Sequence, residues 1–223
     1  MTKKHFFVHL SNFSMLSCLF LSSAFLNAQD KIPGPFAFVN ALDSEKPTFL
    51  YLNSEIYKPR GYKSGEMTYG ARTWAGKKSV KVENEELGTD TISIDILPNN
   101  SPIVIAYAVE RLMEDRSVKR EIKLKAIPNE SNKKAFSGLY ASNSGNTTLL
   151  VNGQEYLLEP FNITTTTTNS TILFHPKMSN FEPTKIIPDT SNHRIAIVYK
   201  LKDGTKRAVP FEDVSGLSSS DEF

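Results

Sequence analysis

The sequence predicts an all-β protein: two tandem antiparallel β-sandwich modules, immunoglobulin-like or small-barrel in kind, following a signal peptide. Three observations carry this reading. An apolar doublet, a proline, a polar turn and a branched-aliphatic run ending in Tyr occur twice. The first copy is Ile96-Leu97-Pro98 ahead of Ile103-Val104-Ile105-Ala106-Tyr107, and the second is Ile186-Ile187-Pro188 ahead of Ile195-Ala196-Ile197-Val198-Tyr199. Runs this rich in Ile and Val, bounded by Pro and Asn, read as buried strands. Short strands with regular turn signals fill the rest, with no long amphipathic helix among them. The order of strand, turn, proline and hairpin repeats at the length of one small sandwich domain. Two such strands imply two cores, one in each module.

Residues 1–28 read as a signal peptide. Lys3 and Lys4 give a basic head, Phe13 to Leu26 a short apolar body, and Ala28 a small residue before Gln29-Asp30. The apolar body is short for a permanent span. Leu16-Ser17-Cys18 has part of a lipoprotein cleavage box. Apolar residues run on past Cys18, however, where a lipidated mature chain should turn polar, so Cys18 reads as filler. Cleavage near Ala28 removes two lysines and no acids from a total of 26 Lys+Arg against 24 Asp+Glu, leaving a neutral mature chain. The basic balance of the whole chain is therefore no argument for a nucleic-acid partner. The one cysteine leaves with the same segment. An exported protein without disulfides must rely on core burial, which suits a bacterial periplasm or a secreted bacterial protein.

The first module is expected over 29–129. Phe36-Ala37-Phe38-Val39 and Thr48-Phe49-Leu50-Tyr51-Leu52 are strands, and 58–70 is a loop. Ser79 to Glu83 and Thr91 to Ile96 alternate as strands with one wet face. The organising strand at 103–109 is expected to turn back and pair with 117–125. Helix competes here, since Val109, Leu112 and Met113 fall at i, i+3 and i+4. The second copy decides for a hairpin, because Asp203-Gly204 makes a tight turn at the matching place, pairing 195–201 with 205–210. The second module is expected over 130–213. It contains Thr148 to Val151, the turn Asn152-Gly153, and a Thr run at 164–168 leading into Thr171 to Phe174 as an edge strand. Residues 214–223 read as a disordered tail.

Phe38-Val39-Asn40-Ala41-Leu42-Asp43, Phe49 to Asn53, Trp74 to Val82 and Ile94 to Val109 together resemble a bacterial secreted β-sandwich domain family of unknown function. The two-module layout is distantly similar to the periplasmic accessory protein of alginate O-acetylation. The second module has Phe174-His175-Pro176 where the first has its Ala-Gly turn. The resemblance implies an exported sandwich that binds or scaffolds another part of the envelope.

Chemistry is harder to find. Only His175 and His193 remain after signal removal, and neither has a neighbouring His or Cys at metal-ligand spacing. No Gly-x-Ser-x-Gly elbow accompanies them. No catalytic residue, metal or cofactor is therefore assigned. The candidate binding surface is Tyr62, Tyr69, Arg72 and Trp74, aromatics and an arginine in or beside the least regular stretch; the competing reading puts Trp74 and some tyrosines in the core. Lys119, Arg120, Lys123 and Lys125 form a basic run that reads as a solvated edge or, more sharply, as a polyanion contact. The expected function is a non-catalytic envelope protein that binds or scaffolds a protein or polysaccharide. The rivals are an enzyme acting on envelope glycans with a His-containing site, and an accessory subunit of a polysaccharide-modification system.

Overall fold

A computed structural model describes residues 32–68, 72–98, 102–128, 136–143, 145–166, 172–177, 183–186 and 194–212. The expected signal peptide, Tyr69, His193 and the expected tail lie outside the described residues. Among the described residues seventeen strands run in order as β1 (Pro33–Pro35), β2 (Ala37–Ala41), β3 (Thr48–Leu52), β4 (Glu55–Ile56), β5 (Arg72–Trp74), β6 (Gly76–Asn84), β7 (Gly88–Ile96), β8 (Ile103–Leu112) and β9 (Val118–Ile127). They continue as β10 (Phe136–Tyr140), β11 (Thr147–Val151), β12 (Gln154–Leu158), β13 (Ile163–Thr166), β14 (Ile172–Pro176), β15 (Thr184–Ile186), β16 (Arg194–Lys200) and β17 (Lys206–Glu212). The described residues contain no helix, and the all-β class stands.

The strands form four main sheets and a ribbon. In the first half the outer sheet has the order β4-β3-β6-β7 and the inner sheet β2-β8-β9. In the second half the outer sheet is β12-β11-β14-β15 and the inner sheet β13-β10-β16-β17. The ribbon pairs β1 with β5. Pairing is antiparallel except for one parallel pair in each inner sheet, β2 with β8 and β10 with β16. The correspondence between halves extends beyond sheet order. Glu66 and Thr68 bond to the free side of β2 (Asn40 N donates to Glu66 O, Thr68 N to Phe38 O, both 2.9 Å), the place β13 takes against β10.

The expectation of two cores is corrected to three. Val104 and Ala106 face the outer sheet of the first half, packed with Phe36, Phe38, Leu50 and Val82. Ile103 and Ile105 point the other way, into a second core shared with Ile195, Ile197, Tyr199 and Phe211. Ala196 and Val198 complete a third core with Phe136, Leu149 and Phe174. The two inner sheets thus pack face to face, each also covered by its own outer sheet. A strand buried on both faces needs an unbroken apolar run rather than alternation, which is why the two organising stretches read as they do. The outer strands β3 and β11 alternate buried and half-buried residues along their length, as one covered face requires.

Both hairpins form where the repeat placed them, with Ile103 opposite Ile127 through Leu112 opposite Val118, and Arg194 opposite Glu212 through Lys200 opposite Lys206. The helical spacing of Val109, Leu112 and Met113 loses to this pairing. The turns close alike. Met113 N donates to Ser117 O (2.9 Å) and Arg116 N to Met113 O (3.0 Å). Leu201 N donates to Thr205 O (2.8 Å) and Gly204 N to Leu201 O (3.1 Å).

Candidate functional site

The loop after β4 is pinned rather than loose. Tyr62 exchanges backbone bonds with Thr48, with Tyr62 N to Thr48 O at 2.7 Å and Thr48 N to Tyr62 O at 2.9 Å. The Asn40 side-chain amide, itself buried in β2, donates to Tyr62 O (3.1 Å) and Lys63 O (2.9 Å). Gly61 is required here: its φ is +67°, and an added Cβ would meet Pro47 at 2.8 Å. Lys58 reaches Glu66 at 2.8 Å, and Lys63 N donates to the same carboxylate at 2.9 Å. Those two contacts, Lys58 first, hold the Glu66 carboxyl below its usual range.

This geometry corrects part of the expected surface. Tyr62 is only 3% exposed and belongs to the first core, its ring edge-on to Phe38 at 5.0 Å. Burial pushes its phenol well above the usual range, with Tyr57 and Glu66 adding to the effect. Tyr62 was singled out because it stands in a loop-like sequence, and Asn40 turns that loop into part of the wall. Arg72 and Trp74 do reach the surface, on β5, paired with β1 through Pro35 and Pro33 respectively. Trp74 is 43% exposed, so it does not cap the core. The structure does not bring Tyr62 onto one surface with Trp74.

His175 lies on β14, half-buried, with Nδ1 3.1 Å from Pro176 O. It lines a cavity of about 240 Å³ between β14, β15 and β17, beside Thr184, Arg207 and Pro210. Among the described residues its lining also includes Phe174, Ala208 and Val209. Among the described residues no three His, Cys, Asp or Glu side chains stand close enough to hold a metal ion.

Two surfaces escaped the sequence reading. On the exposed face of the outer sheet of the first half, Phe49 lies opposite Glu83, and Tyr51 lies between Ile56 and Lys81. Lys81 Nζ sits 5.2 Å from the Tyr51 ring centre. A hydrogen bond to Glu83 raises the Tyr51 phenol above its usual range. The period-two spacing of Phe49 and Tyr51 was the available signal, and it does not say which face is wet. The second surface is the tip of the β8–β9 hairpin, where Leu112 is 71% and Val118 61% exposed. A scan against protein-family models finds no match to this chain, and a search of curated proteins finds none either.

Proposed function

We propose that the chain is a non-catalytic, exported protein of the bacterial cell envelope that binds a partner protein. The basic head, short apolar body and Ala28 at the start of the sequence support export, and with it a periplasmic or secreted location. The observation that carries the binding reading is Trp74, a large aromatic left 43% exposed on a short two-stranded ribbon beside Arg72. Large exposed aromatics next to arginine are the side chains that dominate protein interfaces, because they combine area with hydrogen bonding. The test is Trp74→Ala in the full chain. Capture of a partner crosslinked in intact envelopes should weaken by about 1–2 kcal/mol or more, with an unchanged melting temperature. Undiminished capture would refute this surface.

A polysaccharide partner is the second reading, and Phe49 with Tyr51 is what favours it. Two half-exposed rings on one sheet face, beside Lys81, Glu83 and Thr91, offer apolar faces and hydrogen-bonding groups together. Retardation of the protein in a native gel cast with an envelope polysaccharide, lost in Tyr51→Ala, would establish it. Equal mobility with and without the polymer would dismiss it. An accessory subunit of a polysaccharide-modification system would differ from the first reading only in the identity of the partner.

A further inference from the structure

The two hairpins share one turn and then part company. Counted from the common Tyr, the turn begins six residues after Tyr107 but two after Tyr199. Each arm of the first hairpin is thus longer by four residues, about 13 Å at about 3.3 Å per residue. The short hairpin is seated on the first half: Lys202 N donates to Asp43 Oδ2 (2.6 Å) and Lys202 Nζ to Glu86 (3.1 Å). The long one is tied at its base, where Lys200 Nζ donates to Glu110 Oε2 (3.2 Å), and every residue from Glu110 to Lys119 is exposed.

Chemistry divides them further. The last cross-strand pair before the turn is Lys200 with Lys206 in the short hairpin and Leu112 with Val118 in the long one. The lysine pair is held by the fold, with Lys206 Nζ 5.4 Å from the Tyr140 ring centre and Lys200 Nζ donating to Glu110 Oε2 at 3.2 Å. The apolar pair is instead left 71% and 61% exposed. Cross-strand partners share a face, so Leu112 and Val118 lie on the side of Ile122, and Arg111 and Lys119 lie on the opposite side with Lys123 and Lys125. The carboxylate on that basic side is Glu121, held below its usual range by Lys119 first and also by Arg111 and Lys123. One acid is thus shared among several cations.

We propose that this hairpin is a docking finger for a partner protein that offers an apolar groove with an acidic rim. Leu112 and Val118 would enter the groove, and Arg111 and Lys119 would meet the rim. A lipid surface fits less well, because Glu114 and Asp115 occupy the outermost turn and would reach the bilayer first. The proposal rests on the binding reading above, and it names a different surface and the chemistry of the partner.

The experiment places a photo-crosslinking benzoylphenylalanine at Leu112, Lys206 or Trp74, one at a time, in the full chain in intact envelopes. Adducts are mapped by mass spectrometry. The expected result is a discrete adduct from position 112 to a different protein, at a segment with apolar and acidic residues, and none from position 206. Adding Val118→Asp should lower that yield about fivefold or more, with the melting temperature unchanged because the position is exposed. An adduct to lipid or to another copy of this chain, equal adducts from positions 112 and 206, or none from 112 would overturn the finger. An adduct at Trp74 without one at 112 leaves the binding reading standing, whereas silence at both positions sinks both.

Discussion

Asp115 and Asp203 perform the same task in the two hairpin turns. Asp115 Oδ1 accepts from Ser117 N at 2.9 Å and from Ser117 Oγ at 2.5 Å. Asp203 Oδ1 accepts from Thr205 N at 2.8 Å and from Thr205 Oγ1 at 2.6 Å. The residue between acid and hydroxyl is left-handed in both, with Arg116 at φ 66° and Gly204 at φ 84°. Only the second turn places a glycine where the backbone favours one.

That difference is testable. A side chain in the left-handed region costs about 1–2 kcal/mol, partly offset by the chain entropy that glycine loses on folding. Arg116→Gly should therefore stabilise the protein by about 0.5–1 kcal/mol, and Gly204→Arg should destabilise it by a similar amount. Denaturant melts of the two variants check both signs.

The same turns predict a pH dependence. Both aspartates titrate below their usual 3.8 in the folded chain, chiefly because Ser117 and Thr205 hydroxyls donate to the charged form. A depressed folded-state value means stability that is present above pH 3.8 and lost as pH falls through the lower folded value. Asp115→Asn combined with Asp203→Asn should be less stable than the parent at neutral pH. Its deficit should shrink as acid is added below that point. A deficit that stays constant down to strongly acid pH would refute the assignment.

Tyr62 and Trp74 should separate cleanly. Tyr62→Ala removes a ring from the first core and should cost about 3 kcal/mol or more, as large-to-small changes in packed cores do. Trp74→Ala should leave chemical denaturation within about 0.5 kcal/mol of the parent, as surface substitutions do. Side-by-side urea titrations decide it.

The shared middle core predicts a single unfolding event. Ile105 and Ile197 meet in it, and Ser64 Oγ lies 3.1 Å from Tyr199 OH across the two halves. Ile197→Ala should cost about 2–5 kcal/mol and lower the melting of both halves together. Calorimetry showing two separate transitions, with only one displaced, would contradict this.

Two matching turns were legible in the sequence through their chemistry. Asn53 and Asn152 both take a left-handed φ, 48° and 49°, and both bond across to the next strand of their sheet. Asn53 Oδ1 accepts from Ser79 N at 2.9 Å, and Asn152 Oδ1 from Leu173 N at 2.8 Å. Such residues announce themselves because few side chains tolerate that backbone. The strand runs at 103 and 195 were legible for a similar reason, since continuous apolar sequence of that length has nowhere else to go. What covers the second face of those runs was not legible. Burial on both sides says that a cover exists, but the sequence does not name Ile195 as the neighbour of Ile105. Tyr62 failed as a surface residue because its environment comes from Asn40, 22 residues earlier, through contacts that no local pattern encodes. For Trp74 the sequence left core and surface both open, and the structure leaves it 43% exposed on β5. Leu112 shares a spacing with Val109 and Met113 that fits a helix as well as the end of a hairpin, and nothing local says that its partner is Val118.

The parallel pairs β2–β8 and β10–β16 impose an order of arrival on the chain. A chain emerging amino end first presents β2 long before β8, and the far side of that sheet long before Ile195 to Phe211. Until that last segment arrives, Ala37, Val39, Ile103 and Ile105 form a greasy plate with no cover. The first half therefore spends most of emergence half-clothed, and any holding chaperone has its natural grip there. A stop codon anywhere between residues 128 and 194 would leave that plate permanently bare. The resulting fragment would be a sticky, protease-prone product rather than a smaller working version of the protein.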